Sequence, residues 1–354
     1  MKTPAFTVLI DTYNHERFIE EAIQSVLQQD FPASEMEILV VDDGSTDRTP
    51  EIVRKFEPQL RLIRKQNGGQ ASAFNAGIPE ARGQFLSFLD GDDWWSPRKI
   101  SAVADAFEKH PNVGIVGHGI LKWTRGTQEK VSAALPDPMI VDSVEVASVF
   151  RLYRSYFGTT QVSMKTALAK SVLPIPEALV FEADEYLSTM TATSAQFVVL
   201  PDLLSNYRIH GANLYFLAGA SRAGLRRKQQ VIAALAAVLQ RDLIGRGVAT
   251  DVVDCLVEIV DAEATQLRLM LDGGAPWDTI RTENRIYRIL HSHATAKQKL
   301  YHDLAFLPAC FLPPKWFYAA RGWITSRGWY TRARKSVLPI PGISTTDGTE
   351  HVHD

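Results

Sequence analysis

The chain has 354 residues, 45% of them hydrophobic and 22% charged, with 38 basic and 40 acidic side chains and a formal net charge of −2. Such a composition excludes a disordered or fibrous chain, and the balanced charge excludes one built throughout to coat nucleic acid. The two cysteines, Cys255 and Cys310, exclude a disulfide scaffold or a cysteine-rich zinc module and point to a reducing compartment. At about 150 residues per domain the length suggests two domains.

In chain order, Phe6-Thr7-Val8-Leu9-Ile10 reads as a buried parallel strand. Asn14 is placed to cap a helix in which Phe18, Ile19, Ala22, Ile23, Val26 and Leu27 recur at helical spacing. Ile38 to Val41 is a second strand, ending at Asp42-Asp43-Gly44-Ser45. A short helix and the strand Leu60 to Ile63 follow, then the turn Asn67-Gly68-Gly69 and a helix carrying Ala71, Phe74 and Ile78. Phe85 to Leu89 is a further strand, stopping at Asp90-Gly91-Asp92-Asp93. Ser96-Pro97 opens a helix, with proline at its first position, and Val113 to Val116 is a fifth strand.

This rhythm implies a parallel sheet flanked by helices, with ligands bound beyond the carboxyl ends of its strands. The polar groups Asp11-Thr12-Tyr13-Asn14, Asp42-Asp43, Asn67-Gly68-Gly69 and Asp90-Gly91-Asp92-Asp93 all follow strands directly and should share one rim. Beyond about residue 220 the pattern turns helical, with one apolar stripe through Leu225, Val231, Ile232, Leu235, Val238 and Leu239 and another from Val252 to Leu271. The residues from Pro339 to the end read as a loose tail. The expected division is a domain over 1–220 (a nucleotide half at about 1–120, an acceptor half at about 121–220), a helical region over 221–338 and a tail over 339–354.

No G-x-G-x-x-G and no Gly-Lys-Ser/Thr loop occurs, which removes dinucleotide binding and P-loop hydrolysis. His291 and His293 have poor spacing for a zinc pair. In Asp90-Gly91-Asp92-Asp93, three carboxylates within four residues repel one another, and a divalent cation relieves that repulsion; a turn with a helix cap is the plainer reading. Asp43 has the same two readings, a turn residue or a carboxylate holding a base or ribose.

Taken as an ordered set, these motifs resemble the inverting, nucleotide-sugar-dependent family 2 glycosyltransferases of the GT-A fold. They are Val8-Leu9-Ile10-Asp11-Thr12-Tyr13-Asn14, Val40-Val41-Asp42-Asp43-Gly44-Ser45-Thr46-Asp47, Asn67-Gly68-Gly69 leading to Asn75, and Phe88-Leu89-Asp90-Gly91-Asp92-Asp93. The resemblance implies a mostly parallel α/β sheet and a donor site including Thr12, Tyr13, Asn14, Asp43, Asn67, Asn75, Asp90 and Gly91. It also implies Mn2+ or Mg2+ on Asp92, Asp90 and His210, bridging the two phosphates of a nucleotide-diphosphate sugar. UDP is the first candidate nucleotide, then dTDP and GDP. Phe74 and Asp11 depart from the Arg and Pro common in relatives. In Glu182-Ala183-Asp184-Glu185, Asp184 matches the family's general base, with Glu182 and Glu185 as rivals. In Tyr207-Arg208-Ile209-His210, Arg208 and His210 are expected near the diphosphate or metal, against a packing role for the segment. Alternatives of other classes are a nucleotidyltransferase and a non-catalytic binding relative of the same fold.

Nothing at the start of the chain resembles a signal peptide, and the apolar run Ala305 to Pro314 is ten residues with three prolines, against the about 20 a membrane span needs. A cytoplasmic chain is expected, peripheral at the inner face of the membrane. From Lys315 to Lys335 there are six basic residues and no acid, interleaved with Trp316, Phe317, Tyr318, Trp323, Trp329 and Tyr330. Residues 305–335 therefore read as a contact for an anionic membrane surface or a lipid-linked saccharide acceptor, against a capped aromatic core or a groove for an anionic glycan. No nucleic-acid partner is expected. The sequence sets no oligomeric state.

Overall fold

The computed structural model describes residues 3–124, 127–133, 138–141, 150, 154–211, 213, 221–290, 299–300, 303–304, 306–325 and 343–344. His291, His293 and residues 326–335 lie outside them, as does the tail beyond 325 apart from 343–344.

The chain forms β1 (Phe6–Thr12), α1 (Ile19–Leu27), β2 (Met36–Asp42), α2 (Thr49–Arg54), β3 (Arg61–Arg64), α3 (Gln70–Gly77), β4 (Phe85–Asp90), β5 (Trp94–Trp95) and α4 (Lys99–Lys109). It continues with β6 (Val113–Thr124), β7 (Thr127–Ala133), β8 (Met139–Val141), β9 (Ser163–Lys165), α5 (Thr166–Ser171), α6 (Ala183–Ala192) and β10 (Gln196–Ile209). The helices α7 (Arg222–Gly245), α8 (Thr250–Asp272), α9 (Pro276–Leu290) and α10 (Pro314–Thr325) follow, and β11 (Ile343–Ser344) is last.

Strands β4, β1, β2 and β3 lie side by side and parallel, giving an α/β sheet of the GT-A type. Beyond β4, the short β9 runs antiparallel to both β4 and β6, so the sheet continues into a mixed half where β10 pairs parallel with β6. Side chains alternate across the sheet because successive Cβ atoms point to opposite faces. Phe6, Val8 and Ile10 meet Ile19, Ile23 and Val26 of α1 and Ile100 and Val103 of α4 on one face. Leu9, Leu39, Val41 and Phe88 meet Phe74 of α3, Leu187 of α6 and, through the same apolar cluster, Val231, Leu235 and Leu239 of α7 on the other. The stripe expected beyond residue 220 thus joins the second core. Ser221 caps α7 by accepting the Gly224 N–H at 3.0 Å.

Three local expectations are corrected. Asn14 does not cap α1, which begins at Ile19; Asn14 sits in the left-handed region at φ 57° and binds the loop after β2 instead. The helix after Pro97 starts at Lys99 rather than at the proline. The fifth strand does not stop at Val116 but runs to Thr124, because its pairing with β10 continues past two bulges.

Candidate functional site

In-register parallel pairing fixes the rim. Thr12 stands opposite Asp42, and Asp11 opposite Asp90, so the polar groups at the ends of β1, β2 and β4 lie level. The loops beyond them are pinned together. The Asn14 N–H donates to Ser45 Oγ at 2.9 Å, the Thr46 N–H to Asn14 Oδ1 at 2.8 Å and the Glu16 N–H to Asp47 Oδ2 at 3.0 Å. Thr12 is buried and pairs with His15 Nδ1 at 3.2 Å, whereas Tyr13 is exposed.

Asp43 anchors the glycine turn. Its carboxylate accepts the Gly68 N–H at 3.0 Å, the Gly69 N–H at 2.7 Å and Lys65 Nζ at 2.7 Å. Gly69 is required there: at φ 85° a Cβ would lie 2.7 Å from Val180 Cα. Asn67 turns its Nδ2 to Asp43 O at 3.1 Å, so it shapes this loop. Asn75, expected at the donor site, binds Ile175 on both sides of its amide: Nδ2 donates to Ile175 O and Oδ1 accepts the Ile175 N–H, both at 2.8 Å.

After β4 the carboxylates diverge. Asp92 Oδ2 lies 2.9 Å from His210 Nε2, 3.2 Å from Asn213 Nδ2 and 3.9 Å from His15 Nε2. Asp93 accepts the Arg208 N–H at 2.8 Å and the Thr160 hydroxyl at 2.6 Å. Asp90 Oδ2 lies 3.3 Å from the same hydroxyl. Burial pushes Asp90 and Asp93 well above the usual carboxylate range, and the neighbouring aspartates add to the shift. Burial acts on Asp92 in the same direction, but the His210 hydrogen bond and the histidine charges outweigh it and hold that carboxyl low. Asp11 is driven well above its usual value, first by burial and then by Asp92, Asp184 and Asp43, and its Oδ1 is buried with no partner. Arg208 is held between the rings of Phe18 and Trp94, with centroids 4.9 and 4.4 Å away, and donates to Asp92 O at 3.0 Å and to Glu21 at 2.5 Å.

Asp184 sits in the first turn of α6. Its Oδ2 accepts the Thr159 N–H at 2.8 Å and the Thr159 hydroxyl at 3.0 Å. The adjacent Thr160 hydroxyl binds Asp93 and lies 3.3 Å from Asp90 Oδ2, so the Thr159–Thr160 turn sets Asp184 beside the acidic rim, close enough for its charge to act on Asp11 and Asp90. Glu182, at φ 67°, lies within electrostatic range of Lys228 on α7 instead. The Thr160 carbonyl gathers three donors: Lys99 Nζ at 2.7 Å, Trp95 Nε1 at 3.1 Å and Ser205 Oγ at 2.7 Å.

His15, Lys65, Asn213, Thr159 and Thr160 were not foreseen. His15 alone carried a visible signal, as a histidine three residues beyond Thr12 in a rim loop. Asp92 with His210 and His15 makes an open oxygen-and-nitrogen set. Among the described residues no group of three or more His, Cys, Asp or Glu side chains is arranged to enclose a metal ion.

Residues 7–139 match the model of Glycosyl transferase family 2. An uncharacterized glycosyltransferase of Nostoc sp. is 32% identical over 233 residues, covering 63% of this chain and 70% of that protein. The poly(ribitol-phosphate) β-N-acetylglucosaminyltransferase TarS of Staphylococcus aureus is 31% identical over 200 residues, 53% of this chain and 32% of TarS. The uncharacterized glycosyltransferase EpsJ of Bacillus subtilis is 38% identical over 146 residues, 40% of this chain and 42% of EpsJ, so the chain spans under half of either protein. Among solved structures, S. aureus TarS 1–349 superposes with a TM-score of 0.55 at 17% identity, covering 98% of both chains. The mannosyltransferase PcManGT of Pyrobaculum calidifontis, in complex with GDP-Man and Mn2+, superposes with a TM-score of 0.56 at 22% identity, covering 95% of this chain and 84% of that one. Both share the fold. With the ordered motifs on one rim and a relative of this similarity over most of its length, the chain belongs to glycosyl transferase family 2 and is a glycosyltransferase.

Proposed function

We propose that the chain moves a sugar from a nucleotide-diphosphate donor, a UDP-sugar first among the candidates, to a hydroxyl of a glycan or lipid-linked saccharide, with inversion. The observation that carries this reading is that Thr159 binds Asp184 while the adjacent Thr160 binds Asp90 and Asp93, so Asp184 lies beside the acidic rim, and Asp43 organises the glycine turn on the same rim. TarS has been crystallised with UDP-GlcNAc, which supports a UDP-sugar.

In this reading Thr12, Tyr13, Asn14 and the loop around Asp43 hold the nucleotide, and Gly91 and Arg208 lie by the diphosphate. The acceptor oxygen attacks the anomeric carbon from the face opposite the diphosphate. The bond from that carbon to the diphosphate oxygen breaks, and the acceptor proton passes to the Asp184 carboxylate. A carboxylate oxygen held within reach of the acceptor hydroxyl suits that task. The residues present fit a divalent cation: Asp92 and His210 offer oxygen and nitrogen, the charged forms of Asp90 and Asp11 are disfavoured by burial and then by like charge, and Asp11 Oδ1 lacks a partner. Mn2+ or Mg2+ is commonly held by one or two carboxylates together with substrate phosphates, so a full protein cage is not needed. When bound, the ion neutralises charge on the departing diphosphate.

Calorimetry with UDP, GDP, dTDP and CDP, with and without Mn2+, tests the donor class. Binding of one nucleotide that needs both Mn2+ and Asp92 is expected; no binding of any nucleotide overturns the proposal.

The catalytic unit in this reading is 1–220, followed by the helical region over 221–338 and the tail. A specific observation supports a membrane contact by the helical region. Phe311 (79% exposed), Trp316 (71%) and Trp323 (62%) present large apolar surface in a stretch whose charges from Lys315 to Lys335 are all basic. Among the described residues no helix is long and apolar enough to cross a membrane. We assign this surface to the inner face of an anionic bilayer, where a lipid-linked acceptor would also reside.

A further inference from the structure

A chain of side-chain hydrogen bonds links the glycine turn to Asp184. Gln70 follows Gly69 and opens α3. Its Oε1 accepts the Ala183 N–H at 3.0 Å, so its Nε2 is the group facing Thr159 Oγ1, at 2.9 Å. Because Oγ1 receives that N–H, the single hydroxyl proton of Thr159 is directed to Asp184 Oδ2, at 3.0 Å. The Thr159 N–H donates to the same oxygen at 2.8 Å, and the Glu185 N–H donates to Oδ1 at 2.9 Å. An ionised carboxylate offers about four lone-pair directions. Two on Oδ2 and one on Oδ1 are therefore filled, and a single direction on Oδ1 stays open.

We propose that Thr159 is a positioning residue for sugar transfer: its clamp on Asp184 Oδ2 aims the open lone pair of Oδ1 at the acceptor hydroxyl. This rests on Asp184 as the base. Gln70 gives the clamp a fixed reference, since the N–H groups of Gly68 and Gly69, just before it, bind Asp43. The base is thereby located relative to the donor loop by two neutral side chains. A small misplacement of a catalytic group lowers the rate much more than it lowers binding.

The test compares steady-state kinetics, UDP calorimetry and thermal melts of Thr159→Val, Thr159→Ser, Asp184→Asn and the Thr159→Val/Asp184→Asn double variant. Thr159→Val is isosteric and keeps the backbone N–H. It is expected to lower kcat about tenfold with donor KM and UDP affinity unchanged, and to lower Tm by only a few degrees, since Gln70 Nε2 loses its acceptor. Thr159→Ser should restore kcat, and Thr159→Val should cost nothing further in the Asp184→Asn background. A wild-type kcat for Thr159→Val, or an equal additional loss in that background, overturns the positioning role. Wild-type transfer by Asp184→Asn instead overturns the base assignment. Should Thr159→Val fold poorly, Gln70→Leu releases the Thr159 hydroxyl from its fixed orientation. The same kcat loss with unchanged UDP affinity is then expected, and its absence overturns the proposal.

Discussion

Asp11 on β1 and Asp90 on β4 stand in register on adjacent parallel strands, two carboxylates side by side at the end of the sheet. Nothing local favours that arrangement. It persists because the apolar side chains behind it, Leu9, Ile10, Phe88 and Leu89, are fully buried and contribute about 1.5–3 kcal/mol each. The sheet sets the register, and the rim tolerates the repulsion.

The repulsion has a sign in pH. The native carboxyls of Asp11, Asp90 and Asp93 lie above the usual 3.8, so the folded chain binds their protons more readily than the unfolded chain. Below 3.8 both states are protonated and the penalty vanishes; as pH rises towards the raised native values the penalty grows, and above them it is complete. Without metal or nucleotide, Asp11→Asn should raise Tm by about 2 °C at pH 7, and the gain should shrink on acidification. Thermal melts across pH check this, and a gain that grows on acidification contradicts it.

Asp92 and His210 lie 2.9 Å apart and act as one unit in the proposed metal site. Asp92→Asn and His210→Ala should each weaken Mn2+-dependent nucleotide binding at least about tenfold, while the double variant loses little more. Titrations with Mn2+ and with chelator distinguish this from a general loss of fold.

Asp43 anchors the turn through two backbone N–H groups and Lys65. Asp43→Ala leaves those part-buried donors without their acceptor, so a loss of about 1 kcal/mol in denaturant unfolding is expected, together with loss of nucleotide binding. Lys65→Met, which keeps the backbone bonds, should be milder on both counts.

Gly91 has no room for a side chain: a Cβ would lie 2.6 Å from Thr12 Oγ1 and 2.8 Å from His15 Nδ1. Gly91→Ala should break the Thr12–His15 pair and reduce transfer, with only a modest change in Tm. Unaltered kinetics in this variant would show that the pair plays no part in catalysis.

For the membrane contact, flotation with phosphatidylglycerol vesicles should retain the wild-type chain, and phosphatidylcholine vesicles should retain less. Phe311→Ser with Trp316→Ser should abolish the difference without altering UDP affinity. Equal flotation on both vesicles removes the electrostatic component, and none on either removes the membrane contact.

Much of the sheet was legible because its strands are short apolar runs, Phe6 to Ile10 or Phe85 to Leu89, each stopped by a polar cluster. The clusters were legible as a rim because parallel strands end together. What escaped is chemistry made by tertiary contact. Thr159 and Thr160 are ordinary in sequence and acquire their roles only because β9 lies between β4 and β6 and brings the preceding turn to Asp93 and Asp184. The partner of the Asn75 amide, Ile175, lies a hundred residues on and was equally invisible in sequence. Asn14 looked like a cap, but the loop after β2 offered its amide oxygen a better donor.

The Thr160 carbonyl, with donors from Lys99, Trp95 and Ser205 converging on it, makes the chain's tolerance to mutation depart from the map of its cleft. Lys99 is wholly buried, and no sugar or nucleotide could touch it. A saturation library sorted on turnover would nevertheless score positions 95, 99 and 205 among the intolerant ones. The same library sorted on expression would reveal how much of that intolerance belongs to folding and how much to the acidic rim those residues support.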